Sequence, residues 1–223
     1  MIEIVKHRKI GDLSYVSHKD TVDVLQRTLK RAKIDVNYSQ GFVKHMVTYN
    51  TTPIPLGVQS ICEYFIVDCN GVNAQEFLER FNNAVPDGLK ANWSIEKKKN
   101  PNLAANVVAS DYLVKCKNVV PSIIEEILDE DEYFIELLKK GEKIIKNVRP
   151  MLYSIYAEGK DLWIRSATGN DNLRIDSFVK HISNVYNIET TTNDIMRVNQ
   201  LVKKGNKLIS VEEYLNNEAD SNY

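Results

Sequence analysis

Ser60-Ile61-Cys62-Glu63-Tyr64-Phe65-Ile66-Val67-Asp68-Cys69 is the stretch on which the fold turns. Ile61, Phe65 and Val67 fall on one side of a two-residue alternation, and Cys62, Tyr64 and Ile66 on the other. Apolar character on both faces marks a central strand covered on both sides. After it, Asn73 to Val85 reads as a helix with Phe77, Leu78, Phe81 and Val85 inward, ended by Pro86-Asp87-Gly88. Leu89, Ala91, Trp93 and Ile95 then alternate with polar residues, as a half-buried strand does. Before the central strand, residues 3–9 and 13–16 read as extended, with a turn at Gly11-Asp12. Ser17 is placed as a helix N-cap with Asp20 three residues on. Val22, Leu25, Leu29 and Ala32 follow as a seam that predicts a helix over 18–33. The resulting order is strand, helix, strand or hairpin, helix, strand, which is the split β-α-β pattern of a ferredoxin-like sandwich.

Lys97-Lys98-Lys99-Asn100-Pro101-Asn102 interrupts this pattern and is the linker candidate. A similar order then recurs. Asp111–Cys116 reads as a strand and Pro121–Asp129 as a helix opened by proline. Two hairpins follow, residues 133–139 with 143–148 around Gly141, and 152–157 with 161–167 around Gly159. Asp176–Tyr186 is another helix and 192–202 a closing strand. The expected fold is α+β: two ferredoxin-like sandwiches in tandem, the second elaborated with hairpins. The expected domains are 1–102 and 108–212, with 213–223 a flexible tail.

The chain has 223 residues, 43% hydrophobic and 26% charged, ordinary globular values that allow packed cores. No apolar run is long enough for a bilayer, and the N-terminus lacks the apolar core of a signal peptide, so a cytoplasmic location is expected. Cys62, Cys69 and Cys116 lack metal-type spacing and read as reduced core thiols. The net charge of −1 hides an asymmetry, since the first fifty residues hold nine basic residues against five acidic ones. The sequence pI of about 6.4 is nevertheless far below that of a dedicated nucleic-acid binder.

Several residues carry possible chemistry. His18, in the first turn of its helix, can offer imidazole to a phosphate or act as a general base, and the helix N-terminus favours anions. Ser17 caps the same turn. Lys19, Arg27, Lys30 and Arg31 share one broad helix face, the kind of stripe that meets backbone phosphates, with Asp23 partly neutralising it. Tyr38-Ser39-Gln40-Gly41-Phe42 is a loop with Ser39, Gln40 and Gly41 as contact candidates and Phe42 expected in the core. Arg149, expected to be held extended by Pro150, can clamp a carboxylate or phosphate, or pair with an acidic residue. Trp163 and Arg165 share a strand face and form either a stacking platform or a half-buried Trp covered by an Arg stem. No phosphate-binding Gly-rich loop, nucleophile elbow or HExxH motif occurs.

Leu13-Ser14-Tyr15-Val16-Ser17-His18-Lys19-Asp20, Tyr38-Ser39-Gln40-Gly41-Phe42, Pro53-Ile54-Pro55-Leu56-Gly57 and Asn147-Val148-Arg149-Pro150 together resemble the radical-SAM-linked family of bacterial proteins. The resemblance spans roughly residues 1–200. Where that family carries a His-Pro-x-Pro-Lys run, this chain has Val43-Lys44-His45-Met46-Val47, leaving Lys44 and His45 as nearby substitutes. The resemblance implies association with a cobalamin-binding radical SAM protein and a role around RNA. The chain lacks the Cys-x3-Cys-x2-Cys run of the radical enzyme itself, so no cofactor of its own is expected. It is expected to be an accessory protein that binds or presents RNA, with no membrane partner. The alternative is an RNA-processing or RNA-modifying enzyme of tandem ferredoxin-like type, with His18 or His45 as its base.

Overall fold

Alternation in the first residues makes Ile2–Lys9 a strand, β1, in the computed structural model, which describes residues 1–119, 121–139, 142–169 and 172–219. It is followed by α1 (His18–Arg31), two short strands β2 (Asp35–Val36) and β3 (Thr48–Asn50), and the long β4 (Gln59–Asn70). Next come α2 (Ala74–Ala84), β5 (Ala91–Lys97) and a single turn of helix, α3 (Leu103–Asn106). These elements make up one compact unit, Met1–Asn106. Within it β1 lies between β5 and β4, and β2 and β3 pair along the other edge of β4, all antiparallel. Both faces of β4 are buried, with Ile4, Cys62, Tyr64 and Ile66 on one side, and a hydrophobic cluster lies on the side that carries the helices. Val5, Phe65, Val67 and Cys69 pack there against Leu25 and Leu29 of α1 and Phe77 and Phe81 of α2.

Residues 13–16, expected as extended, are instead part of a 3-10 turn over Gly11–Tyr15. Gly11 adopts φ +63 and the Ser14 hydroxyl donates to its carbonyl at 2.7 Å, which closes the chain locally before it can pair as a strand.

The second unit, Val107–Tyr223, holds β6 (Val107–Lys115), α4 (Pro121–Asp129), β7 (Phe134–Lys139), β8 (Glu142–Asn147), β9 (Leu152–Glu158) and β10 (Asp161–Ala167). α5 (Ile175–Tyr186), β11 (Ile195–Lys204), β12 (Lys207–Ser210) and α6 (Val211–Ala219) complete it. Its antiparallel sheet runs β9-β10-β6-β11-β12, and β7 pairs with β8 as a separate hairpin. The Gly141 turn expected between β7 and β8 lies outside the described residues. The chain is therefore a mixed α+β protein. α6 runs through 213–219 of the segment expected as a tail and buries Leu215 completely. Residues 220–223 lie outside the described residues.

Candidate functional site

A polar hollow opens in the first unit, where β1 ends and α1 begins. His7 and Lys9 of β1, His18 and Thr21 of α1, Asn50 and Thr51 at the end of β3, and Glu63 of β4 line it, with Leu25 and Ile54 as its main apolar walls. It is small, about 20 Å³, and open to solvent. The backbone explains how these groups meet. His7 faces Glu63 in register across the β1–β4 pair, and the register of β1 slips beside His7 against both of its neighbours. Such irregularities re-aim side chains and terminate pairing. His7, Lys9 and Glu63 continue the face that carries Val5 and Phe65, so polar groups occupy positions the alternation assigns to core.

The exposures are unusual for such side chains. His7 is 2% exposed, Lys9 4% and Thr51 4%. Lys9 Nζ donates to the Val16 carbonyl at 2.7 Å, tying the strand to the turn that delivers Ser17. His7 Nδ1 sits 2.9 Å from the Arg8 carbonyl, so Nδ1 carries a proton and donates to it. The Thr51 hydroxyl is buried and has no hydrogen-bond partner among the described residues. Partial burial pulls the His18 imidazole below its ordinary range; the Glu63 carboxylate opposes that shift and the Lys9 ammonium adds to it. The hollow therefore combines one fixed cation, one carboxylate and two imidazoles, a set suited to holding an oxyanion and moving a proton beside it. Among the described residues no three His, Cys, Asp or Glu side chains converge as a metal site does.

Ser17 is the N-cap of α1: its hydroxyl accepts from the Asp20 amide at 3.1 Å and donates to the Asp20 carboxylate at 2.7 Å. Lys19, Arg27 and Lys30 are exposed on α1. Arg31 has a structural role. Its guanidinium donates twice to the Ala84 carbonyl, at 3.0 and 3.3 Å, closing the end of α2, and once to Thr28 Oγ1 at 2.9 Å. Arg149 opens a 3-10 turn, Arg149–Met151, instead of standing extended. It donates to the carbonyls of Leu128, Glu130 and Leu152 at 3.1 to 3.3 Å, gathering the chain beyond α4. Trp163 stacks on Tyr156 with centroids 6.2 Å apart, and Arg165 is held in a two-toothed pair by Asp111 at 2.6 and 3.1 Å.

The loop from Tyr38 to Met46 is closed by an antiparallel bridge between those two residues. Ser39 Oγ accepts from the His45 amide at 3.1 Å and lies 3.0 Å from His45 Nδ1, so both side chains are spent on the loop's neck. Gln40, Gly41, Phe42, Val43 and Lys44 form its exposed tip. Phe42, expected in the core, is fully exposed; nearby Met46, not the aromatic ring, turns inward and is buried. The loop does not line the hollow. Asp68, which bonds Asn37 and Val47 at the loop's base, lies five residues from Glu63 along β4, about 17 Å at strand rise.

Periodicity and motif reading pointed to His18 but not to His7, Lys9, Asn50, Thr51 or Glu63. The sequence carried no local signal for them, since the phase Glu3, Val5, His7, Lys9 holds a single apolar residue and only the structure shows that face buried.

A bacterial family described as "Uncharacterized protein conserved in bacteria (DUF2344)" matches residues 4–188, and the chain belongs to it. That span contains every residue of the hollow and Arg149. No curated protein matches the chain.

Proposed function

We propose that this chain is an accessory protein that contacts RNA and presents it to a cobalamin-dependent radical SAM enzyme in the cytoplasm. The observation that carries the RNA part is the loop tip: Phe42, fully exposed, with Gln40 and Lys44 exposed beside it. An aromatic ring with no packing role is what sequence-tolerant stacking on a base requires, and a neighbouring cation meets the phosphate. Lys19, Arg27 and Lys30 extend the basic surface along α1, about 21 Å long, from the hollow toward the end of the unit that bears this loop. The partner enzyme rests on the resemblance to the radical-SAM-linked family. We read each unit as a ferredoxin-like sandwich: the order β5-β1-β4 with β2 and β3 outermost, and the order β11-β6-β10-β9, both support that topology.

A labelled single-stranded oligoribonucleotide tests the RNA part. Phe42→Ala is expected to weaken binding roughly tenfold, the worth of about one stacked base, without moving the thermal midpoint. Affinity unchanged by Phe42→Ala and Lys44→Ala together removes the loop from the reading. Co-purification of the tagged chain with the radical SAM protein tests the partner.

His7, His18 and Lys9 around one hollow favour a second reading, an RNA-processing enzyme with an imidazole as base. Total RNA left intact by the pure protein as well as by His18→Ala removes it.

A further inference from the structure

The Thr51 hydroxyl is the unusual group of the hollow. A buried hydroxyl without a partner costs folding free energy, and a β-branched apolar residue of the same shape would avoid that cost. It faces a hollow that already holds a cation, Lys9, and the start of a fourteen-residue helix whose first-turn amides lack intrahelical acceptors. Polar side chains from three elements, Lys9 of β1, Thr51 just beyond β3 and His18 in the first turn of α1, therefore meet at one space, a set that can serve an oxyanion. Glu63 sets the condition on which oxyanion. A carboxylate beside the ligand repels a fully deprotonated anion and accepts from one that keeps a proton.

We propose that the hollow is a phosphomonoester site, in which Thr51, Lys9 and the first turn of α1 hold the phosphate oxygens and Glu63 accepts the remaining phosphate proton. Inorganic phosphate and a terminal phosphate of a nucleic acid both keep a proton near pH 6, where the second ionisation falls. Sulfate and an internal phosphodiester keep none. The protonated phosphate gains population as pH falls from 8 to 6, so affinity rises over that range. The inference rests on the RNA reading only for the source of the phosphate.

The test is an amide-resolved NMR titration of the full chain with inorganic phosphate and, separately, with sulfate. Saturable shifts at His18, Lys19 and Thr51 are expected, with sulfate about tenfold weaker, the value of one charge-assisted hydrogen bond. Thr51→Val is expected to lose about tenfold in phosphate affinity while melting at a higher temperature than the parent, because it removes an unpaired hydroxyl. Thr51→Ser, which keeps the hydroxyl, should still bind. Glu63→Gln should bring phosphate and sulfate to equal affinity. Equal response of the parent to both ions, shifts confined to other residues, or unchanged binding by Thr51→Val overturns the proposal. An oligoribonucleotide bearing a 5′-phosphate, beside the same strand with a 5′-hydroxyl, identifies the source. Preference for the phosphorylated strand assigns an RNA end. Inorganic phosphate binding with both strands inert supports the site with a small phosphorylated ligand, and defeats the RNA reading instead. Both strands binding alike, with the hollow's amides unmoved by phosphate, defeats the site and leaves the RNA reading standing.

Discussion

Glu3 shows how a single buried group sets a pH dependence. It is 1% exposed on β1, opposite Glu96 of β5. Burial raises its carboxyl from 4.5 to about 7, Ser94 opposes the shift and Glu96 adds to it. The folded chain thus holds a proton that the unfolded chain releases. The stabilisation is complete below pH 4.5 and is lost as pH rises through about 7. Glu3→Gln is expected to flatten this dependence and to stabilise the protein at pH 8 by on the order of 3 kcal/mol, measured by urea unfolding at two pH values. At Arg149 the three carbonyl contacts predict the opposite kind of result. Arg149→Ala should cost about 1–3 kcal/mol in the same assay and leave RNA binding unaltered, whereas Lys19→Ala should cost less than about 0.5 kcal/mol and weaken RNA binding.

Among the elements, α1 depends on a chain path fixed from outside it. The turn before it is pinned where Ile10 donates to the Gly88 carbonyl at 3.1 Å and Gly57 donates to the Ser14 carbonyl at 3.0 Å. A Cβ on Gly88 would stand 2.7 Å from the Ile10 carbonyl oxygen and 2.9 Å from Leu13 Cδ1. Gly88→Ala is therefore expected to destabilise by about 1–3 kcal/mol and to shift the amide signals of Gly11–Ser17, with a midpoint equal to the parent's as the contrary result. Gly57, at φ +84 after Pro55-Leu56, occupies the position of a type II turn that requires a positive φ, which explains the glycine in that motif. Ser17 closes the path as N-cap of α1, and Ser17→Ala should cost about 1 kcal/mol.

For the whole molecule, a net charge of −1 gives the proposed RNA contact no global field, so it would rest on local cations. Lys19, Arg27, Lys30 and Lys44 are exposed on α1 and the loop tip, and Arg31, also exposed, is engaged with the Ala84 carbonyl. Four phosphate contacts to a single strand predict a slope of about −3 for log affinity against log salt, and a slope near zero would mean that these residues face no phosphate. Among the described residues no helix is long and apolar enough to cross a membrane.

Local pattern alone determined the elements that bury a stripe or a face. The seam Leu25, Leu29, Ala32, the alternation of β4 and the run Phe77, Phe81 each specify their partner surface by periodicity, and the helices and long strands follow the residues that predict them. Ser17 and His18 were legible for the same reason, since a cap and a first turn are local. The rest of the site was not. His7, Thr51 and Glu63 lie far apart in the chain, and only strand register and the irregularity beside His7 bring them to one hollow. Phe42 and Arg149 were misplaced because hydrophobicity and charge state what a side chain tolerates, not which neighbour arrives. A bridge from Tyr38 to Met46 left Phe42 in water, and three carbonyls reached Arg149 before any acidic partner did. Long-range packing decides such encounters, because it spends the free energy of the whole core on positions that a local window weighs one at a time.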